Sequence, residues 1–130
     1  MNIADLFSTR DHTLELASGD RARVGAHGGQ VLHWSVEDGQ ELLYLSPAAS
    51  TADGRALRGG VPICWPQFNL RGPLPKHGFA RHAPWRLHGQ DDTSLVLELT
   101  PDDLSDEQRA AWPHAFQLRQ KIDLAPGQLT

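Results

Sequence analysis

Apolar and polar residues alternate in short runs along the N-terminal third of the chain, a pattern that predicts β-strands rather than helices. Leu14 and Leu16 alternate with polar neighbours, a turn-forming Ser-Gly-Asp follows at 18–20, and a second extended run occupies 21–24. Two extended runs joined by such a turn predict a β-hairpin.

A third extended run, 31–37, carries Leu, Trp and Val on one face and Val, His and Ser on the other. It ends at Asp38-Gly39, a two-residue hairpin signal that predicts a further strand over 42–45. The small and polar residues at 46–54 predict an exposed loop.

The C-terminal third returns to extended runs. Residues 85–88 and 94–99 form two of them, and the second places Leu95, Leu97 and Leu99 on one face. Residues 116–124 alternate as a half-buried antiparallel strand does, so this part of the chain is also predicted to be β-structure.

The segment 101–112 is the one predicted helix. Ser105 followed by Gln108 forms a capping-box pattern, and Pro113 marks the helix end. At least six short strands with one short helix predict an all-β fold, an antiparallel β-sandwich or barrel. Because the chain has no internal repeat and no linker, residues 1–130 are expected to form a single domain.

The C-terminal end leaves a hairpin with only one arm. A turn at 125–127 is followed by the first residues of a strand at 129–130, where the sequence stops. An unpaired sheet edge promotes association. We therefore expect the domain to be incomplete here and to continue beyond Thr130, with self-association through the open edge as the alternative.

Composition limits the class of protein. A chain of 130 residues with 39% hydrophobic and 22% charged residues is long enough for one globular domain, and it contains no long apolar run. The N-terminus lacks a signal-peptide pattern and Cys64 is the single cysteine, so a cytoplasmic location is expected. A net charge of −4 argues against general nucleic-acid binding.

The central stretch 58–85 differs from the rest of the chain. It holds five of the nine Pro and four of the twelve Gly, which predicts a shaped loop system rather than regular strands. Between Asp53 and Asp91 there is no acidic residue, but there are six basic ones: Arg55, Arg58, Arg71, Lys76, Arg81 and Arg86. Such a patch in an acidic chain indicates a pocket for an anionic ligand, although an ordered connection with solvated charges has the same composition.

Two blocks in this stretch resemble the aldose 1-epimerase superfamily, and more closely its hexose-6-phosphate mutarotase branch. RGGVPICWP at 58–66 resembles the first block of that branch, and HGFAR at 77–81 followed by Trp85 resembles the second. The resemblance implies an antiparallel β-supersandwich of the galactose mutarotase-like type, of which this chain is an N-terminal part. It also implies an isomerase that interconverts the α and β anomers of a hexose 6-phosphate.

By this resemblance, Arg58 and Arg81 contact the phosphate or the sugar, and His77 lines the sugar site. Lys76 stands where related members often carry Gln, and it keeps a donor while adding a charge. The family's general acid and general base lie downstream, so no catalytic residue is assigned in this chain. Mutarotation needs only an acid and a base, and no cofactor is expected.

The chemistry of the basic residues agrees with an anionic ligand. Arg binds phosphate oxygens in pairs through its planar fork. Gly59-Gly60 lets backbone amides approach a ligand or form an anion nest. The positive neighbours of His77 are expected to lower its pKa, which favours a neutral imidazole. Arg71 and Arg86 are expected to be surface charges.

Trp65, Phe68 and Phe79 are candidates either to stack on the sugar or to build the floor of the cleft. The floor is favoured for Phe79, and both roles stay open for Trp65. The sequence leaves open whether the Trp65-Pro66 bond is cis or trans. The spacing of His77, His82 and His88 suits no metal site, so no metal is expected.

The favoured function is therefore the carbohydrate-binding part of a hexose-6-phosphate mutarotase, inactive by itself because its acid–base pair lies downstream. Its expected partner is a hexose 6-phosphate or a related sugar, with neither nucleic acid nor a membrane. The alternative is a non-catalytic module that binds a sugar or sugar phosphate.

Overall fold

The computed structural model describes residues 11–49 and 56–130, so the predictions for Arg55 and for residues 50–54 of the loop lie outside it. Seven strands of the described residues form two antiparallel sheets. The first sheet contains β1 (His12–Glu15), β2 (Arg21–Gly25) and β3 (Gln30–Ser35); the second contains β4 (Arg86–Gln90), β5 (Ser94–Leu99), β6 (Leu118–Ala125) and β7 (Gln128–Leu129). The predicted all-β fold is confirmed.

The two sheets share one hydrophobic core. Leu14 of β1 and Val24 of β2 belong to the same buried cluster as Leu97 of β5 and Ile122 of β6. Leu95, Leu97 and Leu99 are all fully buried, as the predicted alternation requires. Burial of one face of each sheet against the other is the architecture of a sandwich.

Asp20 joins the two sheets at one end. Its buried carboxylate accepts hydrogen bonds from the Ser18 hydroxyl at 2.5 Å and from the Gly127 N–H at 2.8 Å, so the β1–β2 turn is tied to the β6–β7 turn. The Ser18 hydroxyl and the Gly127 amide lower the pKa of Asp20 because both stabilise the charged form.

The strand predicted over 42–45 is wrong, although the turn before it is present. Only isolated bridges occur there, from Glu41 to Ser35 and from Leu45 to Gly59. The Glu41 side chain gives the reason, because its carboxylate accepts hydrogen bonds from the N–H groups of Trp34 and Leu43, both at 3.0 Å. A side chain thus takes the place of strand partners.

The predicted helix is shorter than expected. A separate 3₁₀ turn occupies Pro101–Asp103, and α1 spans Asp106–Ala111 with Ser105 as its N-cap. The Ser105–Gln108 capping box is confirmed. Leu104 between the two pieces is extended, with ψ of 151°, so the chain leaves helical geometry before α1 begins. Across the described residues, no helix reaches the length and apolarity that crossing a membrane requires.

Candidate functional site

Gln30 anchors the backbone on both sides of Arg58. Its side chain is fully buried, and its amide donates hydrogen bonds to the carbonyls of Leu57 at 3.0 Å and Gly59 at 2.5 Å. These two carbonyls flank Arg58, whose own side chain is exposed. The opening residue of β3 therefore fixes the main chain from which this guanidinium extends.

Gly59 and Gly60 allow this segment to lie directly against its neighbours. Gly60 has φ of 60°, and a Cβ there would lie 2.0 Å from the Val31 carbonyl oxygen. Its N–H donates to the Tyr44 carbonyl at 2.7 Å. The Gly60 amide is thus committed to the fold, so the anion-nest alternative is wrong for this amide, and the glycines provide close backbone contact instead.

Arg81 lies in a 3₁₀ turn, Ala80–His82, that is attached to Trp65. The N–H groups of Phe79 and Ala80 both donate to the Trp65 carbonyl at 3.1 Å. The Arg81 Nη2 donates to the Lys76 carbonyl at 3.0 Å, whereas its buried Nε has no hydrogen-bond partner within the described part of the chain. The guanidinium is therefore held through its Nη2.

Arg58 and Arg81 line the same open depression, which has a volume of about 680 Å³. Leu57, Pro62 and His82 contribute to its wall. Two arginines on one concave surface raise the local positive potential, and their planar forks have the geometry that can bind paired phosphate oxygens.

His77 is fixed by a reciprocal contact with Asn69. The Asn69 N–H donates to Nδ1 of His77 at 2.9 Å, and the His77 N–H donates to the Asn69 carbonyl at 3.0 Å. Partial burial, followed by the positive charges of Arg81 and Lys76, lowers the pKa of His77. The predicted direction of this shift is confirmed. A neutral imidazole whose Nδ1 accepts carries its proton on Nε2, so Nε2 is a hydrogen-bond donor.

Gln67 closes the loop that leads to His77. The residue is 7% exposed, and its side-chain NH₂ donates to the carbonyls of Asn69 at 2.7 Å, Leu74 at 2.9 Å and, more weakly, Pro75 at 3.4 Å. Its Oε1 accepts from the Leu74 N–H at 2.9 Å. One buried side chain therefore determines the course of this loop.

Trp65 lies in an aromatic cluster. Its ring centroid is 5.7 Å from that of Phe79, 6.2 Å from that of Trp112 and 4.8 Å from that of Phe116. Phe79 is only 4% exposed and belongs to the core, and the Trp65-Pro66 bond is cis. The cluster forms the base on which the 77–82 segment rests.

The four predicted binding residues gather around Arg81. Arg81 bonds to the Lys76 carbonyl, its charge acts on His77, and it shares a depression with Arg58. Arg86 is engaged elsewhere, in ion pairs with Asp103 at 2.6 Å and Glu98 at 3.3 Å. Arg71 is exposed. Among the described residues, no group of three or more His, Cys, Asp and Glu side chains could hold a metal ion.

Sequence reasoning missed the three polar residues that support the site: Gln30, Gln67 and Asn69. Two of them are buried amides, and each bonds to backbone groups of an irregular segment. The local sequence offered no signal for them, because Gln40, Gln90 and Gln117 also lie directly beside Gly or an aromatic residue and are exposed.

Comparisons with known proteins give a consistent result. The aldose 1-epimerase family profile matches residues 11–130. A relative from Cenchrus ciliaris, named "Putative glucose-6-phosphate 1-epimerase", is 39% identical over an alignment of 116 residues that covers 81% of this chain and 34% of the relative. The chain spans about a third of the length of the curated relatives that it matches.

Solved structures agree with this family at the level of the fold. The crystal structure of the Slr1438 protein from Synechocystis sp. PCC 6803 has a TM-score of 0.76 and 32% identity, covering 99% of this chain and 49% of that one. The galactose mutarotase related enzyme from Lactobacillus acidophilus has a TM-score of 0.70 at 20% identity, covering 92% of this chain and 40% of that one. The predicted galactose mutarotase-like sandwich is confirmed.

Proposed function

This chain belongs to the aldose 1-epimerase family, an isomerase family, and on that premise we propose that it forms the sugar-phosphate-holding wall of a glucose-6-phosphate 1-epimerase. The observation that carries the proposal is the shared depression of Arg58 and Arg81, with Arg81 oriented by the Lys76 carbonyl. Paired guanidinium groups recognise phosphate oxygens, which distinguishes a phosphorylated sugar from a neutral one.

In this proposal the site residues have separate tasks. Arg58 and Arg81 bind the phosphate, and Lys76 adds positive charge beside it. His77 donates from Nε2 to a sugar oxygen, because Asn69 occupies its Nδ1. Trp65, with the aromatic residues around it, supports the cleft from below.

Anomer exchange needs a base that takes the proton of the anomeric hydroxyl and an acid that protonates the ring oxygen. We propose that both groups come from outside these 130 residues, and that the protein acts in the cytoplasm. The isolated chain is therefore expected to bind glucose 6-phosphate without accelerating the exchange of its anomers.

Titration calorimetry of the purified chain with glucose 6-phosphate and with glucose tests the proposal. We expect phosphate-dependent binding that Arg58→Ala and Arg81→Ala each weaken by about tenfold to a hundredfold, since a hydrogen bond to a charged group contributes about 1.5–3 kcal/mol. Arg109→Ala is the matched control, because Arg109 is an exposed arginine of α1. Equal binding of glucose and glucose 6-phosphate, or unchanged binding in both site variants, would contradict the assignment.

The same chain should be examined for turnover by proton NMR of freshly dissolved α-glucose 6-phosphate. Binding without faster exchange is the expected result, and it is also the behaviour of the alternative, a non-catalytic sugar-phosphate-binding module. Exchange catalysed by the pure chain would show that an acid and a base lie within it. A longer protein that contains this chain and exchanges the anomers would favour the epimerase over the module.

A further inference from the structure

Phe68 differs in its surroundings from Trp65 and Phe79, the other two candidates for stacking on the sugar or building the cleft floor. Phe79 is 4% exposed, and Trp65 is packed among Phe79, Trp112 and Phe116. Phe68, by contrast, is 64% exposed. It therefore presents far more of its ring to solvent than either of the residues that form the base of the site.

The Phe68 ring lies beside His77. The two ring centroids are 5.3 Å apart, and the planes are inclined by 53°. His77 is in turn close enough to Arg81 and Lys76 for their charges to lower its pKa. An exposed aromatic ring therefore lies beside a hydrogen-bond donor that is within electrostatic range of two positive charges.

The loop that carries Phe68 is held in place on both sides of the ring. Gln67 before it is buried and bonds to the carbonyls of Asn69 and Leu74, and Asn69 after it bonds to His77 through both of its backbone groups. The Phe68 carbonyl accepts from the Arg71 N–H at 3.1 Å. The backbone that carries the exposed ring is therefore held in place before any ligand binds. This reduces the conformational entropy that the loop would lose on binding.

We propose that Phe68 is the platform on which the apolar C–H face of the bound hexose packs, with the sugar hydroxyls towards His77 and the phosphate towards Arg81. The inference rests on the proposed function and adds to it a residue that determines specificity. Arginines alone bind any phosphate ester, whereas an aromatic platform adds affinity only for a ligand that carries a ring face of matching size.

Binding of glucose 6-phosphate and of inorganic phosphate to the full 130-residue chain separates the two contributions. Phe68→Ala should weaken glucose 6-phosphate binding by about threefold to tenfold, the effect of losing one aromatic contact, and should leave inorganic phosphate binding unchanged. Phe68→Trp, which keeps an aromatic face, should restore the affinity for the sugar phosphate. Arg81→Ala should weaken the binding of both glucose 6-phosphate and inorganic phosphate.

Leu70→Ala is the matched control because Leu70 lies on the same loop and is 72% exposed. It should leave the affinity for both ligands unchanged. Saturation-transfer NMR gives a second readout, in which irradiation of aromatic protons should transfer to the sugar C–H protons in the unaltered chain and in Leu70→Ala, but much less in Phe68→Ala.

The outcomes distinguish this inference from the function on which it rests. If the unaltered chain binds no glucose 6-phosphate, both are overturned. If it binds the sugar phosphate and Phe68→Ala binds equally well, the proposed function stands and the platform is overturned. Equal weakening by Phe68→Ala and Leu70→Ala would also overturn the platform, since it would indicate a general effect of the loop.

Discussion

Gln67 offers the sharpest test of how the site is built, because one buried side chain holds the loop between Phe68 and His77. Replacing it with Ala removes the hydrogen-bond partners of both the N–H and the carbonyl of Leu74. Leu74 is only 6% exposed, so water does not readily replace these partners. A buried polar group left without its partner costs about 1–3 kcal/mol. We expect Gln67→Ala to lower the free energy of unfolding by about 2–4 kcal/mol, a large part of the roughly 5–15 kcal/mol of a typical domain.

The assay is urea unfolding followed by circular dichroism, with the denaturant slope compared between variants. Gln117→Ala is the control, because Gln117 is an exposed glutamine before β6 and its replacement should change stability by less than about 0.5 kcal/mol. A loss below about 0.5 kcal/mol for Gln67→Ala at an unchanged slope would refute the reasoning that its amide organises the loop.

Gln67→Glu tests the donor specifically, since it preserves the shape and the acceptor. The new oxygen would face the carbonyls of Asn69 and Leu74 in place of an NH₂ group. Carbonyl oxygens and burial both disfavour the ionised carboxyl, so its pKa in the folded chain should rise. The variant should therefore lose stability as the pH rises above about 4.3, the ordinary value for Glu, and a pH-independent deficit would contradict this account.

Three further predictions follow from the contacts around the site and the sheets. NMR titration of His77 should give a pKa below 6.5 and show the Nε2–H tautomer. The contribution of His77 to the free energy of unfolding should decline as the pH falls below 6.5, because the unfolded chain then binds the proton before the folded chain does. A pKa at or above 6.5 would contradict this. Gly60→Ala should lower the free energy of unfolding by more than about 3 kcal/mol, because the new Cβ would meet the Val31 carbonyl. Gly39→Ala is the control: open space surrounds its Cβ, so it should cost only about 1 kcal/mol for its positive φ. Equal losses of stability in urea unfolding would refute the close contact at Gly60. Asp20→Asn should be less stable than the unaltered chain at pH 7, and its stability should decline less steeply in acid. The reason is that the lowered pKa of Asp20 contributes stability above about pH 3.9, which is lost as the pH falls. Parallel acid-unfolding curves for the two proteins would contradict this.

The strands were predictable where burial alone determines them. Leu95, Leu97 and Leu99 are fully buried on one face of β5, and this arrangement leaves a period-two pattern in the sequence. The capping box at Ser105 was predictable for a different reason, which is that its partner Gln108 is only three positions along the chain. The strand expected over 42–45 failed because the Glu41 carboxylate takes backbone donors that a neighbouring strand would otherwise use.

Composition and the two blocks singled out the basic residues of the candidate site, but they did not reveal the side chains that hold its backbone in place. Gln30 bonds to the carbonyls beside Arg58, which lie 27 and 29 positions away in the chain. No local pattern records a contact between a buried amide and a distant irregular segment, because it depends on how the loop packs on β3. The exposure of Phe68 beside His77 likewise emerges only from the course of the loop.

A crystal structure of this chain with bound glucose 6-phosphate tests the central claim most directly. The account predicts the phosphate in the depression between Arg58 and Arg81, with guanidinium nitrogens about 2.7–2.9 Å from its oxygens, as charge-assisted hydrogen bonds require. A sugar phosphate bound with its phosphate away from both arginines would contradict it.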